Sequence, residues 1–160
     1  MYDRKNTRPE WADVWMTMAE TIGRRSRCVR AQIGCVLVST DNQVISASYN
    51  GPPPKYKSAM NVHTKCDQWC PRSQGASLDV NYDDCPSSHA EANGVARADW
   101  SRLQGGTAYV NGASCMTCAK LLAAAGIRLV VMQVHETDQH RRPDKVIEYL
   151  GQCGVEVFVK

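Results

Sequence analysis

The first part of the chain carries hydrophobic residues at the spacing of a helix. They recur every three or four positions, at Trp11, Trp15, Met18 and Ile22. Thr7-Arg8-Pro9-Glu10 precedes them and has the sequence of a capping box with proline in the first turn. We therefore predict a helix from about Pro9 to Gly23. We expect its aromatic stripe to pack into the core, and a platform for a nucleobase is the alternative.

The next part changes to the pattern of strands. Two β-branched runs, Gln32 to Ser39 and Gln43 to Tyr49, are separated by Thr40-Asp41-Asn42, which predicts a β-hairpin. From Asn50 to Asp84 the periodicity is lost, and prolines, polar residues and cysteines replace it. A loop of this length is usually functional or disordered, and the cysteines argue against disorder. We therefore predict a cysteine-containing loop insertion at about residues 50–85.

The second half alternates helical and strand patterns. The predicted elements are a helix that opens at Ser87 or Ser88 and continues through Val95, Ala96 and Trp100, a strand from Thr107 to Asn111, a helix from Cys115 to Ala125, a strand from Leu129 to Val134, a helix from Pro143 to Leu150 and a strand from Val155 to Val159. The full order, α-β-β-α-β-α-β-α-β, predicts a mixed five-stranded sheet with helices on both faces. No linker or repeat divides residues 1–160, so we predict a single α/β domain.

Composition and charge narrow the class of protein. The 160 residues suit one domain, and with one Phe, four Trp and six Tyr the core must depend on aliphatic side chains. A formal charge of +3 is too small to indicate nucleic-acid binding by itself. The most apolar run, Leu121 to Val134, is short and contains Arg128, so we expect no membrane span. The charged start, Met1 to Lys5, lacks the apolar segment of a secretory signal, and we expect a cytoplasmic protein.

Eight cysteines in such a chain are better explained by metal binding than by disulfides. Cys35 lies in an apolar strand and Cys153 lies between a helix and a strand, and we expect both to be small buried residues. The other six are candidate metal ligands: Cys28, Cys66, Cys70, Cys85, Cys115 and Cys118.

His89, Cys115 and Cys118 carry the candidate chemistry. Three strong zinc ligands leave a fourth position for water, which is typical of a catalytic site. Zinc lowers the pKa of a bound water to about 7, and Glu91, two residues after His89, is placed to move protons. His89 and the cysteine pair each begin a predicted helix, whose partial positive charge favours thiolates.

Each of these motifs has another explanation when it is taken alone. Ser88 and Glu91 also fit a capping box, Cys115-x-x-Cys118 could be a redox pair, and a single histidine is usually an ordinary surface or core residue. Their occurrence together, with a strand between the two helices, favours a catalytic zinc site in which Glu91 is the catalytic residue.

His89-Ala90-Glu91 followed by Cys115-x-x-Cys118 resembles the signature of the zinc-dependent cytidine and deoxycytidylate deaminase superfamily. Further segments resemble deoxycytidylate (dCMP) deaminases in the same order: Gln32 to Val38, Ser48 to Gly51 and Cys118 to Leu121. The likeness extends from about Trp11 to the end of the chain. It implies a cytidine-deaminase-like fold, in which three α/β/α layers contain the mixed sheet.

The resemblance implies hydrolysis of dCMP to dUMP and ammonia, which supplies dUMP for thymidylate synthesis. Glu91 would take a proton from water, pass it to N3 of cytosine and later protonate the leaving amine. Two other functions stay open: a deaminase acting on a polynucleotide, either tRNA or single-stranded DNA, and a non-catalytic zinc interaction module. The chain lacks the interleaved aromatic and basic residues of a polynucleotide groove. We therefore expect a nucleotide substrate and no nucleic-acid partner.

The resemblance also implies residues that contact the base or sugar. Asn50 matches the family asparagine that holds one of them, although Asn50-Gly51 would also suit an ordinary turn. Ala90 and Ser114 are further candidates for substrate binding beside the zinc ligands. Ser114 replaces the proline that precedes the first cysteine in the family signature.

Candidates for the 5′-phosphate are Arg27 and Arg30, because arginine binds phosphate in a bidentate manner. Surface arginines without such a role are the alternative. His135 lies where relatives carry Tyr-His-Asp, with Val134 in the position of the tyrosine, and it is a third candidate. We expect His140, Arg141 and Arg142 to form the solvent-exposed, basic start of the last helix.

Cys28, Cys66, Cys70 and Cys85 resemble a second zinc site of the dCMP deaminases. In that family a cysteine at the place of Cys28 joins ligands from the loop. We expect a structural zinc here, with His63 as a substitute ligand, and four free thiols are the alternative. Such a metal would order a loop that is poor in apolar residues.

Family members assemble as homo-oligomers, often hexamers, and many respond to dCTP and dTTP with Mg2+ at a separate site. The resemblance implies both properties here, although no residue of the chain establishes them. If the chain is encoded by a phage, we expect it to act in the host cytoplasm.

Overall fold

A five-stranded sheet lies at the centre of the computed structural model, which describes residues 8–56, 59, 63–75 and 84–160. The strands are β1 (Gly34–Val38), β2 (Val44–Tyr49), β3 (Thr107–Val110), β4 (Leu129–Met132) and β5 (Glu156–Val159), and they lie side by side in the order β2-β1-β3-β4-β5. β1 is antiparallel to both β2 and β3, whereas β3, β4 and β5 are parallel. The mixed five-stranded sheet and its hairpin are therefore confirmed.

Helices cover both faces of this sheet. The α-helices are α1 (Trp11–Gly23), α2 (Ala90–Ala96), α3 (Trp100–Leu103), α4 (Met116–Ala124) and α5 (Pro143–Gln152). Side chains of β1 alternate between the faces, so that Val36 and Val38 pack with α1 while Cys35 and Leu37 pack with the other helices. The structure is thus the expected three-layer α/β/α arrangement.

A glycine allows α1 to lie directly on β1. A Cβ atom at Gly34 would be 2.0 Å from the carbonyl oxygen of Ala19 and 2.8 Å from the backbone nitrogen of Gly23. Since real Cβ atoms never approach backbone this closely, a larger residue would push the helix off the strand. This contact fixes the start of β1, which follows the segment that borders the site.

The buried face of α1 differs from the predicted stripe. The buried residues are Met16, Ala19 and Gly23, whereas Trp11 is 50% exposed and Met18 is 37% exposed. The reason is the close contact with β1, which selects small side chains. Trp11 stacks on Trp15 with ring centroids 5.1 Å apart, at the edge of the core. The helix begins after Glu10, and the predicted capping residue Thr7 lies outside the described residues.

The single helix predicted after Ser87 or Ser88 is in fact two helices. α2 starts after His89 and ends at Ala96, and α3 starts after Asp99. The Asp99 carboxylate accepts a hydrogen bond from the backbone nitrogen of Ser101 at 3.0 Å, which starts the new helix. Residues 97–99 therefore separate two distinct helices.

Two expectations at the end of the chain are also wrong. α5 does not stop at Leu150 but continues to Gln152, because Gly151 keeps a helical conformation. Cys153, expected to be buried, is exposed as the C-terminal cap of that helix. Within the described ranges, the helices lack the length and the apolar character that crossing a membrane requires.

Candidate active site

Three predicted metal ligands meet where two helices begin. His89 is the N-cap residue of α2, Cys115 is the N-cap residue of α4, and Cys118 lies in the first turn of α4. Their ligand atoms all lie within 4.8 Å of one another. Nδ1 of His89 is 3.4 Å from Sγ of each cysteine. Among the residues that the structure describes, this is the one tight group of three such side chains.

Backbone contacts place His89 beside the end of β2. Gly51 and Ser88 exchange two backbone hydrogen bonds of 3.1 Å, so the residue before His89 is fixed to the residue that follows Asn50. Ser48 Oγ donates a hydrogen bond of 2.8 Å to the carbonyl oxygen of Ala90. These contacts hold the first turn of α2 on β2, and α2 also packs against α4. The two helix starts are brought together in this way.

The geometry of these three side chains fits zinc. Zinc–ligand lengths of about 2.3 Å to sulfur and about 2.0 Å to nitrogen place tetrahedral sulfur and nitrogen ligands about 3.5 Å apart. The observed separation of 3.4 Å is close to that value for both sulfur–nitrogen pairs. Because the protein supplies three ligands here, a fourth coordination position is left for water or substrate.

Proton sharing shifts the pKa values of all three side chains. The hydrogen bond from the Cys118 thiol, together with that from His89, lowers the pKa of Cys115 well below its usual value. The same bond with Cys115, followed by burial, raises the pKa of Cys118. The hydrogen bond with Cys115 also raises the pKa of His89. The lowered pKa favours the thiolate form of Cys115, whereas the raised pKa values of Cys118 and His89 mean that a metal competes with protons for these two side chains.

Glu91 is a buried carboxylate beside this cluster. Only 2% of the residue is exposed. The hydroxyl of Ser114 donates a hydrogen bond of 2.7 Å to its Oε1 atom, and the carboxylate also lies within hydrogen-bonding reach of the Cys118 thiol. The alternative of a capping box from Ser88 to Glu91 is wrong, because the N-cap residue of α2 is His89 and it makes no side-chain cap hydrogen bond. Glu91 instead faces the site.

A pocket of about 240 Å³ opens over His89 and Glu91. Asn50 and Arg30, both predicted to bind substrate, line it. The side-chain amide of Asn50 accepts a hydrogen bond from the backbone nitrogen of Ile33 at 2.9 Å and donates one to the carbonyl oxygen of Ala31 at 3.0 Å. Asn50 therefore also fixes the shape of the segment that forms one wall of the pocket.

Two other predicted phosphate contacts lie elsewhere. The guanidinium of Arg27 donates to the carbonyl oxygen of Ala59 at 2.6 Å and lies 5.6 Å from the ring centroid of Trp69. It lines a neighbouring pocket instead. His135 is exposed and precedes the 3-10 helix Glu136–Arg141, where its backbone nitrogen donates a hydrogen bond of 3.1 Å to the Asp138 carboxylate. Ala90 is fully buried in the hydrophobic core between His89 and Glu91, and it does not line the pocket.

Asp138 and Arg141 hold the segment before Cys115, and the sequence analysis missed them. The Asp138 carboxylate accepts from the backbone nitrogen of Ala113 at 3.3 Å, and Arg141 Nη1 donates to the Ala113 carbonyl oxygen at 2.6 Å. Their side chains are only 10% and 11% exposed, so the solvent-exposed role expected for Arg141 is wrong. The spacing of an acid and a base three residues apart was the available signal.

Further basic side chains border the pocket. Arg72, His140 and Arg141 line it with Arg30, and the acidic lining residues are Glu91 and Asp138. Arginine side chains therefore outnumber carboxylates in the lining of this pocket. Arg72 belongs to the loop insertion. It was not predicted to line a pocket, because the sequence of this loop has no periodic pattern.

The second cysteine group is assembled by the loop. Cys28, Cys66, Cys70 and Cys85 pack in one cluster around Trp69. Sγ of Cys70 is 3.8 Å from Sγ of Cys85, and the backbone nitrogen of Val29 donates to Sγ of Cys66 at 3.3 Å. All four cysteines also line the pocket that contains Glu91. The predicted substitute His63 is exposed.

Residues 9–134 match the family model described as the cytidine and deoxycytidylate deaminase zinc-binding region. The chain is 34% identical over 136 residues to the deoxycytidylate deaminase of Schizosaccharomyces pombe, an alignment that covers 83% of this chain and 40% of that enzyme. It is also 34% identical over 131 residues to the deoxycytidylate deaminase of Mycobacterium phage D29, covering 78% of this chain and 95% of that protein.

A similar fold is known from a solved structure. The dCMP deaminase of the cyanophage S-TIM5, solved in complex with dCMP and dUMP, superposes with a TM-score of 0.68 at 20% identity and covers 97% of this chain and 100% of that chain. At this identity the likeness concerns the fold. Together with the match of the family model and the 34% identity to two curated deaminases, the convergence of His89, Glu91, Cys115 and Cys118 shows that the chain belongs to the cytidine and deoxycytidylate deaminase zinc-binding family.

Proposed function

We propose that the protein hydrolyses dCMP to dUMP and ammonia, and that it thereby supplies dUMP for thymidylate synthesis. The observation that carries this proposal is the buried Glu91 carboxylate beside the convergent ligand atoms of His89, Cys115 and Cys118. The deoxycytidylate deaminases with 34% identity to the chain support dCMP as the substrate.

His89, Cys115 and Cys118 would hold the zinc ion. A zinc ion in such a site acts as a Lewis acid and makes water a nucleophile at neutral pH. Glu91 accepts a proton from the attacking water as its oxygen adds to C4 of cytosine, and delivers that proton to N3. When the bond between C4 and the amino nitrogen breaks, Glu91 transfers the second proton of the water to the amine. Ammonia leaves, and the ring is that of uracil.

The pocket offers groups for the rest of the nucleotide. We place the base over Glu91 and next to the buried backbone of Ala90, with Asn50 beside the sugar. The 5′-phosphate then lies near Arg30, Arg72 and His140, which line the pocket. Arg27 and His135 are left out of this substrate site because their contacts lie elsewhere.

Ammonia release from a panel of substrates tests this function. The panel contains dCMP, CMP, deoxycytidine, dCTP and single-stranded DNA, each assayed with the zinc-loaded protein and with Glu91→Gln. We expect kcat/KM to be highest for dCMP and to fall strongly for deoxycytidine, which lacks the phosphate. Activity only on the polymer would select a polynucleotide deaminase, and the absence of activity on every substrate would select a non-catalytic zinc module.

We also propose a second, structural zinc site formed by Cys28, Cys66, Cys70 and Cys85. The clustering of the four side chains around Trp69 supports it, as does the hydrogen bond from the backbone of Val29 to Cys66, a contact that suits a metal-bound thiolate. Metal analysis of the purified protein should give two zinc ions per chain. Cys66→Ser should retain the zinc bound by His89, Cys115 and Cys118 together with the deaminase activity. A single zinc in the wild-type protein would contradict the proposal.

Regulation and assembly follow from family membership as proposals. The pocket around Arg27, Tyr49 and Arg97 is not lined by Glu91 but shares Cys28, Asn50 and Ser87 with the catalytic pocket, and we propose it as the site of a nucleotide effector such as dCTP or dTTP with Mg2+. We propose that the protein acts as a homo-oligomer, with a hexamer as the expected assembly, in the cytoplasm, where its free cysteines would stay reduced. Sedimentation with and without dCTP would test both proposals.

A further inference from the structure

Ser114 differs from the family signature, and its side chain contacts Glu91 directly. The residue is fully buried, and its hydroxyl donates to Oε1 of Glu91 at 2.7 Å. The acceptor is a carboxylate, so this is a strong, charge-assisted type of hydrogen bond. The proline of the family signature has no hydroxyl and cannot make it. The contact is therefore a property of this chain and is not implied by the signature.

The donor is held in a fixed position. Ala113, the residue before Ser114, is bound on both sides of its backbone, by the carboxylate of Asp138 and by the guanidinium of Arg141. Cys115, the residue after it, begins α4. With the backbone fixed on both sides, the Ser114 hydroxyl cannot move far without losing its acceptor.

This contact restricts the orientation of the Glu91 carboxylate. The last torsion of a glutamate side chain is broad, so burial alone does not fix the plane of its two oxygens. Ser114 binds Oε1, so we assign proton exchange with water and substrate to the other carboxylate oxygen, Oε2. Proton transfer requires a distance of about 2.6 to 3.2 Å, and a misplacement of about 1 Å can lower the rate about 100-fold.

We propose that Ser114 is a positioning residue that sets the plane of the Glu91 carboxylate for proton transfer. It keeps its own proton throughout, because the carboxylate accepts at Oε1 in both of its protonation states. The proposal rests on the proposed deaminase function. In this proposal Ser114 acts on Glu91. The sequence analysis had suggested that it binds the substrate instead.

Ser114→Ala removes the hydroxyl and little else. We expect kcat for dCMP to fall on the order of 10-fold, because general acid–base catalysis supplies about 100-fold to 10,000-fold and loses part of it when poorly oriented. KM should stay within about twofold, because a residue that acts through Glu91 does not bind the substrate. Ser114→Thr keeps a hydroxyl and should restore most of kcat. A crystal structure of the zinc-loaded Ala variant should show the Glu91 carboxylate rotated or in two conformers.

A matched control is Ser39→Ala, which removes another buried serine hydroxyl, in the turn between β1 and β2. Its kcat should equal that of the wild type. Zinc content and the thermal midpoint of each variant show whether the fold and the metal site are kept. If Ser114→Thr does not fold, the proposal is tested by comparing kcat of Ser114→Ala with kcat of Ser39→Ala.

Three results would overturn the proposal: an unchanged kcat in Ser114→Ala, a raised KM at constant kcat, or loss of zinc from that variant. The second would make Ser114 a substrate contact, and the third would make it a support of the metal site. If the wild-type protein does not deaminate dCMP, the proposed function fails separately. The orientation of Glu91 in the crystal structure of Ser114→Ala still tests the positioning role, and an unchanged orientation refutes it.

Discussion

The ligand atoms of His89, Cys115 and Cys118 share protons that a metal ion has to displace. The pKa of Cys115 is lowered by its hydrogen bond with Cys118, whereas the pKa values of Cys118 and His89 are raised by their contacts with Cys115. These shifts favour the thiolate form of Cys115 and the protonated forms of Cys118 and His89. Metal affinity therefore depends on pH through Cys118 and His89.

Zinc affinity should increase as the pH rises. A raised pKa means that Cys118 and His89 keep their protons to higher pH in the metal-free protein, so lowering the pH strengthens the competition with zinc. We expect zinc affinity to rise between pH 6 and pH 8, with protons released as zinc binds. Competition titration with a chromophoric chelator at three pH values measures this, with the chelator alone as control. An affinity that is independent of pH would contradict the proton sharing.

The residues that could be predicted are those that act within short motifs. His89, Glu91, Cys115 and Cys118 are recognisable because the spacing of ligands at a helix start is local. The contacts of Ala113 with Asp138 and Arg141 join residues 25 and 28 positions apart, and Ser114 is 23 positions from Glu91. Such contacts depend on how helices and loops pack, and no local pattern predicts them.

At the level of elements, periodicity predicted each strand and most helices to within a few residues. It failed where tertiary contacts override it. The stripe of large residues on α1 is half exposed because the close contact at Gly34 requires the small residues Ala19 and Gly23 instead. The break between α2 and α3 comes from a side-chain cap at Asp99, which a purely hydrophobic pattern does not reveal.

The packing of α1 on β1 can be tested with a pair of glycine substitutions. Gly34→Ala would put a Cβ 2.0 Å from the Ala19 carbonyl oxygen, and we expect a loss of about 3 kcal/mol, at the upper end of the cost of overpacking. Gly151→Ala lies in α5 where no atom is within 4 Å, and it should stabilise by up to about 1 kcal/mol. Thermal denaturation at constant zinc concentration compares them. Equal midpoints for the two variants would contradict the tight contact.

The link between the 3-10 helix Glu136–Arg141 and α4 should also be essential for stability. Asp138→Ala leaves the buried Arg141 without its acidic partner and Ala113 without its acceptor, and we expect a loss of about 3 to 5 kcal/mol. Lys145→Ala breaks the exposed pair with Glu148 and should cost less than about 1 kcal/mol. Chemical denaturation measures both. A small effect of Asp138→Ala would show that the clamp on Ala113 is dispensable.

Across the whole molecule, one pocket joins the layers of the domain to the loop insertion. His89 and Glu91 come from α2 and its cap, Arg30 and Asn50 come from segments beside β1 and β2, and the loop cysteines form another wall. The family and the layered fold could be predicted because they follow from short motifs and from the order of elements. The shape of this pocket could not be predicted from the sequence, because the loop that borders it has no periodic pattern of hydrophobic residues.

The most direct measurement is the rate of ammonia release from dCMP by the wild-type protein and by Glu91→Gln at equal zinc content. Glutamine has nearly the same shape as glutamate but cannot carry the proton. We expect the wild-type protein to deaminate dCMP and the variant to keep its zinc while kcat falls about 100-fold to 10,000-fold. A Glu91→Gln variant that deaminates dCMP at the wild-type rate would contradict the central role of this buried carboxylate.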